Sequence, residues 1–351
     1  MKRAIRLWIV VSFPLLVFSC GGEDLPDLIP PPDPVVTPDP TPVTPTPGES
    51  HEWDKNRGKE VYPSGTGWTS TVIEPGITYY TFSGNDPVTK SPQRVFVTDI
   101  DLSKEDYAVN LALYESRSTA SAVMKEKDAI VTMNGGYERP SIVIRIDGIT
   151  SYMMPNGTIG DTGVENWKNE GAVLMDGKRD VRFSNAGVGL SVNDQRKAYM
   201  ALAAKESTLL SSAPLLLYDY EPLGESFITR YPKKSSNSED PYVHQSTNTH
   251  PRTVIAKNEF NHLQLIVIDG RRSSVSRGMS AAEVTQFLVA NFNPQYALNL
   301  DGGGSSTMCV EGQGDASTHV VNYPTDSDQV KGVPDHTGER SVPTFFYVVR
   351  K

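Results

Sequence analysis

The segment Asp301-Gly-Gly-Gly-Ser-Ser306 places a carboxylate, three glycines and two hydroxyls directly after the apolar run Ala297–Leu300. The carboxylate can stabilise a cation or take a proton, the glycines leave backbone amides uncovered, and each hydroxyl both donates and accepts. Together they suit a ligand rich in oxygen. The same layout occurs at Asn134-Gly135-Gly136, after Ala129–Met133, and at Asp269-Gly270-Arg271, after His262–Ile268. Ligand sites in sheet proteins gather where strands end, because strands hold the groups rigidly. Three such ends therefore predict one shared site. A lone Asp-Gly after a strand is also ordinary turn chemistry, which is the reading for Asp147-Gly148 and Asp176-Gly177. Three successive glycines exceed what a turn needs, and they cost chain entropy unless something must approach closely.

Several chemistries are excluded. No Lys follows the glycine run in the order that a nucleotide-phosphate loop needs. No G-x-S-x-G elbow makes Ser305 a hydrolase nucleophile. The histidines form no HExxH pair and no tight Cys/His cluster, so no cofactor is called for, although a divalent cation stays open. The formal charge of -9 argues against a nucleic-acid partner, since neutralising phosphates takes clustered Lys and Arg.

The elements that must position these groups follow from periodicity. Alternation predicts strands at 78–82, 94–100 and 107–114, then a helix over 118–127 and a buried strand over 129–133. Further strands are expected at 141–146, 171–175, 187–192, 198–203 and 213–218. Residues 221–251 read as a long polar loop, either a lid or decoration. Arg252–Ala256 and His262–Ile268 read as paired strands. Ser280-Ala-Ala-Glu283 is a capping box opening a helix with Val284, Phe287, Leu288 and Phe292 on one face. The fold class expected is α+β and strand-rich, a mixed β-sheet core with a few packing helices.

At the N-terminus, Lys2, Arg3 and Arg6 precede an apolar run from Leu7 to Phe18, too short to span a bilayer and suited to a signal peptide over residues 1–19. Leu16-Val-Phe-Ser-Cys20 resembles a bacterial lipobox, with Cys20 as the lipidation site. The acidic Cys20-Gly-Gly-Glu-Asp resembles the surface-export signal of Bacteroidetes-type lipoproteins. Removing the signal peptide takes the formal charge from -9 to -12. From Pro26 to Pro47 ten of 22 residues are Pro, so residues 20–50 read as an extended stalk. The expectation is an exported lipoprotein, anchored to the outer membrane or cell surface of a Gram-negative bacterium, touching the membrane only through its lipid. Cys309 is then the one remaining cysteine, without an intramolecular partner.

Four ordered pieces resemble the phosphodiester glycosidase family: Asn134-Gly-Gly-Tyr137; Arg252-Thr with Val267-Ile-Asp-Gly-Arg271; Ala297 to Met308; and Val321-Asn-Tyr-Pro-Thr-Asp326 with Gly338-Glu-Arg340. The resemblance divides the globular part into an N-terminal extension, residues 51–92, and a phosphodiester glycosidase-like domain, 93–351. It implies hydrolysis of a sugar, such as N-acetylglucosamine, joined through its anomeric oxygen to phosphate. On that implication the carboxylates to weigh are Asp301, Asp269 and Glu339. Arg252, Arg271 and Arg340 are natural phosphate partners through bidentate bonds. Asn134, the glycines 135, 136, 270, 302, 303 and 304, and Ser305 and Ser306 would hold phosphate or sugar hydroxyls. The family often has a Gly-rich piece where this chain has Leu210-Ser-Ser-Ala-Pro214, which bears on sugar specificity. Two alternatives stay open: a glycosidase acting on ordinary glycosidic bonds, or a glycan-binding surface lipoprotein without catalysis. Which carboxylate is nucleophile, base or acid depends on their separation, which sequence does not give.

Overall fold

The computed structural model describes residues 57–176, 180–327 and 335–351. The expected signal peptide, Cys20 and stalk lie outside the described residues. The segment Ser50–Lys351 is one compact unit. Three antiparallel sheets carry it. The first contains, in spatial order, β1 (Trp68–Glu74), β2 (Ile77–Asp86), β3 (Ser91–Asp101), β13 (His262–Ile268), β12 (Arg252–Lys257), β14 (Tyr296–Asn299) and β11 (Leu215–Tyr218). The second runs β7 (Ile149–Tyr152), β6 (Ile144–Ile146), β10 (Thr208–Ser212), β8 (Gly171–Met175) and β9 (Val181–Ser184). The third runs β15 (Met308–Val310), β5 (Val131–Asn134), β16 (Val342–Arg350) and β4 (Tyr107–Ser118). With 16% helix and 37% strand the chain is strand-rich α+β, as expected, its strands divided among three antiparallel sheets in place of one mixed sheet.

The first sheet is covered on both faces, which explains why β12 and β13 read as continuous apolar runs without alternation. On one face Val254, Ala256, Ile266 and Ile268 pack against Val284, Phe287 and Leu288 of helix α4 (Ala281–Asn291). On the other, Ile255, Leu265 and Val267 share a core with Val131, Met133, Phe346 and Val348 of the third sheet. Each of the valines, leucines, isoleucines, phenylalanines and the methionine taken fully out of water stabilises the fold by roughly 1.5–3 kcal/mol. The capping box is present: the Ser280 hydroxyl accepts from the Glu283 amide at 3.3 Å, and the Glu283 carboxylate accepts from the Ser280 amide at 2.8 Å.

Helix α1 (Ala120–Lys127) lies where periodicity placed it and packs Val123 and Met124 against buried Cys309, Val320 and Phe345. Helix α2 (Val192–Ala203) is a departure. Residues 187–192 and 198–203 were expected as strands; the first is a turn whose end, Ser191, caps the helix, and the second is helical. The helix buries Val192, Gln195, Tyr199 and Ala203 on one face. A polar residue and a tyrosine hydroxyl on that face hid the helical period from an apolar reading. Among the described residues no helix is long and apolar enough to cross a membrane.

Candidate active site

Topology brings the acid-bearing strand ends together. Strands β13 and β14 both pair antiparallel with β12, so they run the same way on either side of it and finish at one edge of the sheet. Arg252, the first residue of β12, starts at that edge, opposite Ile268. The third sheet joins there through β5: the Asn134 side-chain amide donates to the Asp301 carbonyl at 2.7 Å, and the Asp301 amide donates to the Gly135 carbonyl at 3.1 Å. Asn134 also accepts through its Oδ1 from the Thr253 hydroxyl at 2.9 Å and the Thr307 amide at 3.1 Å. It is a buried clamp across three strand ends, with its side chain spent on protein partners.

Asp301 stands at the floor of this edge, partly open to solvent while protein surrounds its carboxyl. Desolvation raises its pKa to about 6, against a hydrogen bond from Ser305 and the charges of Lys168 and Arg340, with Glu138 adding to the rise. Two guanidinium groups lie over the glycine run. Arg271, in the left-handed region at φ 62, places Nη2 where a Cβ on Gly303 would come within 2.9 Å. Arg340 places Nη2 2.0 Å from where a Cβ on Gly304 would sit. Each glycine is bare for its own reason: a Cβ on Gly302 would come within 2.6 Å of the Pro251 carbonyl, Gly303 lies in the left-handed region at φ 64, and Gly304 is crowded by Arg340 and Asp326. Several of the loop amides are already used: Gly303 donates to the Pro251 carbonyl at 2.8 Å, Ser305 to Gly302 at 3.2 Å and Ser306 to Gly303 at 3.3 Å. The Thr253 hydroxyl, its one hydrogen given to Asn134, lies 3.1 Å from the Ser306 hydroxyl and can accept from it, and the Gly135 amide donates to the Thr344 carbonyl at 2.7 Å.

Arg340 is clamped by Asp326 through two bonds of 3.0 Å. Arg271 donates to the His250 Nδ1 at 3.2 Å, and among the described residues no carboxylate forms a salt bridge with it. Burial, then the nearby Arg340, lowers the Arg271 pKa. Arg252 is wholly buried and makes only neutral contacts: Nε to the Met279 carbonyl at 2.7 Å, Nη1 to the Gln245 side chain at 2.7 Å, and Nη2 to the carbonyls of His244 and Asn248 at 3.3 and 3.2 Å. Burial brings it down to about 10. It therefore anchors the segment 244–248 beneath the site.

The other two carboxylates point elsewhere. Asp269 is buried and accepts from the Asn322 side chain at 3.3 Å and the Tyr323 amide at 3.2 Å, so it holds the loop segment that leads to Asp326; burial drives its pKa to about 7. Gly270 lets the chain pass Pro251, whose nitrogen would be 2.5 Å from a Cβ there. Glu339 bonds to the Ser121 hydroxyl and, at 3.0 Å, to the Ser121 amide, capping the first turn of α1. Gly136 is packed against Ile142 and Leu210.

The structure adds groups that motif reading did not select. Residues 221–251 contain the short helix α3 (Phe227–Arg230) and a π-helical turn, Val243–Thr247, and bring His244 and His250 beside Arg252 and Arg271. Burial and these cations hold His244 well below the ordinary histidine range and His250 at about 4, so both are neutral. Each Nδ1 faces a donor, Gln245 Nε2 at 2.9 Å and Arg271 Nε at 3.2 Å, which leaves the proton on Nε2. Lys168, 7% exposed, lies 4.8 Å over the Tyr137 ring and pairs with Glu239 at 3.0 Å. The signal for it was a polar run, Asn166 to Glu170, buried just before the apolar strand β8. Among the described residues no three His, Cys, Asp or Glu side chains gather to hold a metal.

A raised-pKa carboxyl beneath two guanidiniums fits an anion joined to a carbon centre that becomes cationic. No curated protein matches the chain by sequence. A zebrafish N-acetylglucosamine-1-phosphodiester alpha-N-acetylglucosaminidase catalytic domain, auto-inhibited by its pro-peptide, aligns in structure with a TM-score of 0.53 at 18% identity, over 86% of this chain and 100% of that one. A Burkholderia pseudomallei protein described as exported aligns with a TM-score of 0.52 at 13% identity, over 86% and 100%. At these identities both are likenesses of fold. The phosphodiester glycosidase family model matches residues 127–349, which include every strand end of the site, and the chain belongs to that family.

Proposed function

We propose that the protein hydrolyses a glycosyl-1-phosphodiester, releasing free sugar and a phosphate monoester, at a cell-envelope surface. The observation that carries this reading is the Asp301 carboxyl, raised to about 6, in the electrostatic reach of Arg340 and Lys168 and beside Arg271. A phosphodiester carries one negative charge, and breaking its bond to the anomeric carbon adds a second to the departing monoester. Arg271 and Arg340 stabilise that developing charge, so the leaving oxygen needs little protonation. Asp301, ionised above pH 6, faces the sugar carbon: it stabilises the oxocarbenium-like centre or takes the proton of the attacking water. The water oxygen bonds to the anomeric carbon as the carbon–oxygen bond to phosphate breaks. His244 and His250 present hydrogen-bond donors without adding charge.

Family membership supports a hydrolase of this kind, and the fold relatives include one enzyme named for this linkage and one protein described as exported. Export agrees with the lipobox-like Leu16–Cys20 and the proline-rich segment that follows. The test is sugar release from a glycosyl-1-phosphodiester, beside a glycoside of the same sugar with an alcohol leaving group. Cleavage of the first alone supports the proposal. Cleavage of the second, or binding without turnover of either, replaces it with one of the alternative readings.

A further inference from the structure

Residues 57–64 connect the proline-rich segment to β1 and lie along the turn 258–261, which links β12 to β13 at the end of those strands remote from Asp301. They pair with no strand among the described residues, and residues 57–60 and 62 are exposed. Little apolar burial holds this strap, so its attachment rests on polar side chains. Arg57 donates through Nη2 to the Asp219 carbonyl at 2.9 Å and lies 4.9 Å over the Tyr220 ring. The Gly58 amide donates to Glu259 at 2.6 Å, and the Tyr220 hydroxyl donates to the same carboxylate oxygen at 2.5 Å. Further along, the Tyr62 hydroxyl donates to Glu60 at 2.5 Å, and its ring meets the His262 imidazole edge-on at 5.9 Å.

Among these ties only His262 changes charge near neutral pH. Its Nδ1 lies 2.5 Å from Asp99 Oδ1 on β3, while Asp99 Oδ2 accepts from Gln264 Nε2 at 2.7 Å. A carboxylate only accepts, so the first proton of the ring stays on Nδ1. The second proton sits on Nε2, 3.6 Å from Glu60. While it is present, the imidazolium bridges the sheet and the strap. Once it leaves, a lone pair faces a carboxylate and the attraction turns to repulsion. The other charge beside the ring is Asp101 on β3, which accepts from Ser103 and is offset by Lys104; Tyr80 on β2 stands near Asp99 and Glu60. Burial pushes Tyr62 and Tyr80 above the ordinary tyrosine range, so neither titrates near neutrality. The bond to Asp99 raises the His262 pKa, against partial burial.

We propose that residues 57–64 form a proton-controlled strap, docked while His262 bridges Asp99 and Glu60 as an imidazolium and released when its Nε2 proton is lost. Since the folded value is raised, the docking that this proton supports is complete below about pH 6.5 and fades as pH rises through the higher folded value. The latch decides whether the connection to the N-terminal segment is fixed on the domain or loose. It is independent of the reaction at Asp301, which lies at the other end of β12 and β13.

Trypsin must draw extended chain into its own cleft, so cleavage after Lys59 reports the released fraction of the strap. The experiment measures that cleavage on the whole protein from pH 6 to 9, with each rate divided by that of a free peptide of the same sequence to remove the protease's own pH dependence. Near-ultraviolet circular dichroism confirms that the domain stays folded at each pH. The expected result for wild type is a relative rate about tenfold or more higher at pH 9 than at pH 6. His262→Gln and Glu60→Gln, each referred to its own peptide, should be cut rapidly at both ends of the range. Glu60→Gln alters an exposed side chain, so it keeps the test open where His262→Gln disturbs the buried Asp99. A wild-type relative rate that stays level or falls from pH 6 to 9, or a folded Glu60→Gln that keeps the wild-type pH dependence, overturns the proposal.

Discussion

Two aspartates that look alike in sequence end in opposite circumstances. Asp269 is enclosed and accepts from Asn322 and Tyr323, whereas Asp301 is partly open beneath two guanidiniums. Both carboxyls are raised by burial, to about 7 and about 6. The folded state then holds protons that an unfolded chain has released by about pH 4. The stability each contributes is present at low pH and is lost as pH rises through 7 and 6. Asp269→Asn should therefore melt higher than wild type at pH 8 and converge with it near pH 4, by an amount on the order of a few kcal/mol at about 1.4 kcal/mol per pKa unit. Melting temperatures across that range check it, and a gap that widens toward acid contradicts it. For activity the sign is opposite, since the ionised Asp301 is the working form: kcat/KM should fall below an acid limb near pH 6. A flat profile between pH 5 and 7 would count against that role.

Elements decide which of the remaining candidates touch chemistry. Glu339 caps α1 through Ser121, so Glu339→Gln should lower stability by about 1 kcal/mol and leave kcat within about twofold. A denaturant titration with steady-state kinetics separates the two effects. Gly304→Ala drives a methyl into Arg340, which is clamped by Asp326, and should cost activity about tenfold or more with the fold retained. Circular dichroism and sugar release read these together. The place of the site was legible in the chain because β13 and β14 are plainly apolar and end in Asp-Gly, a pattern that survives any sheet order. What motif reading lacked was direction: no spacing says that Glu339 turns to a helix start, or that Asp269 faces Asn322, some fifty residues on. Helix α2 escaped because Gln195 interrupts its buried face. Lys168, His244 and His250 stayed hidden in polar runs whose burial comes only from tertiary packing.

At the scale of the molecule, the first and third antiparallel sheets meet where the carboxylate, cations and neutral imidazoles converge. A rigid frame of this kind presets an electrostatic site, so the chemistry needs little reorganisation once the phosphate is seated. The same frame leaves the N-terminal residues to set location: if Cys20 carries lipid, Cys20→Ala should move the protein from the membrane fraction to the soluble one without changing kcat. Fractionation after export checks this, and an unchanged membrane share would remove the anchor from the account. The central claim is that Asp301 acts on the anomeric carbon of a phosphate-linked sugar. Its most direct test is the rate of free-sugar release from a glycosyl-1-phosphodiester by wild type and Asp301→Asn at pH 7.5. The account predicts a loss of about a thousandfold or more in kcat/KM for a variant that remains folded. Release at the wild-type rate by Asp301→Asn would contradict it.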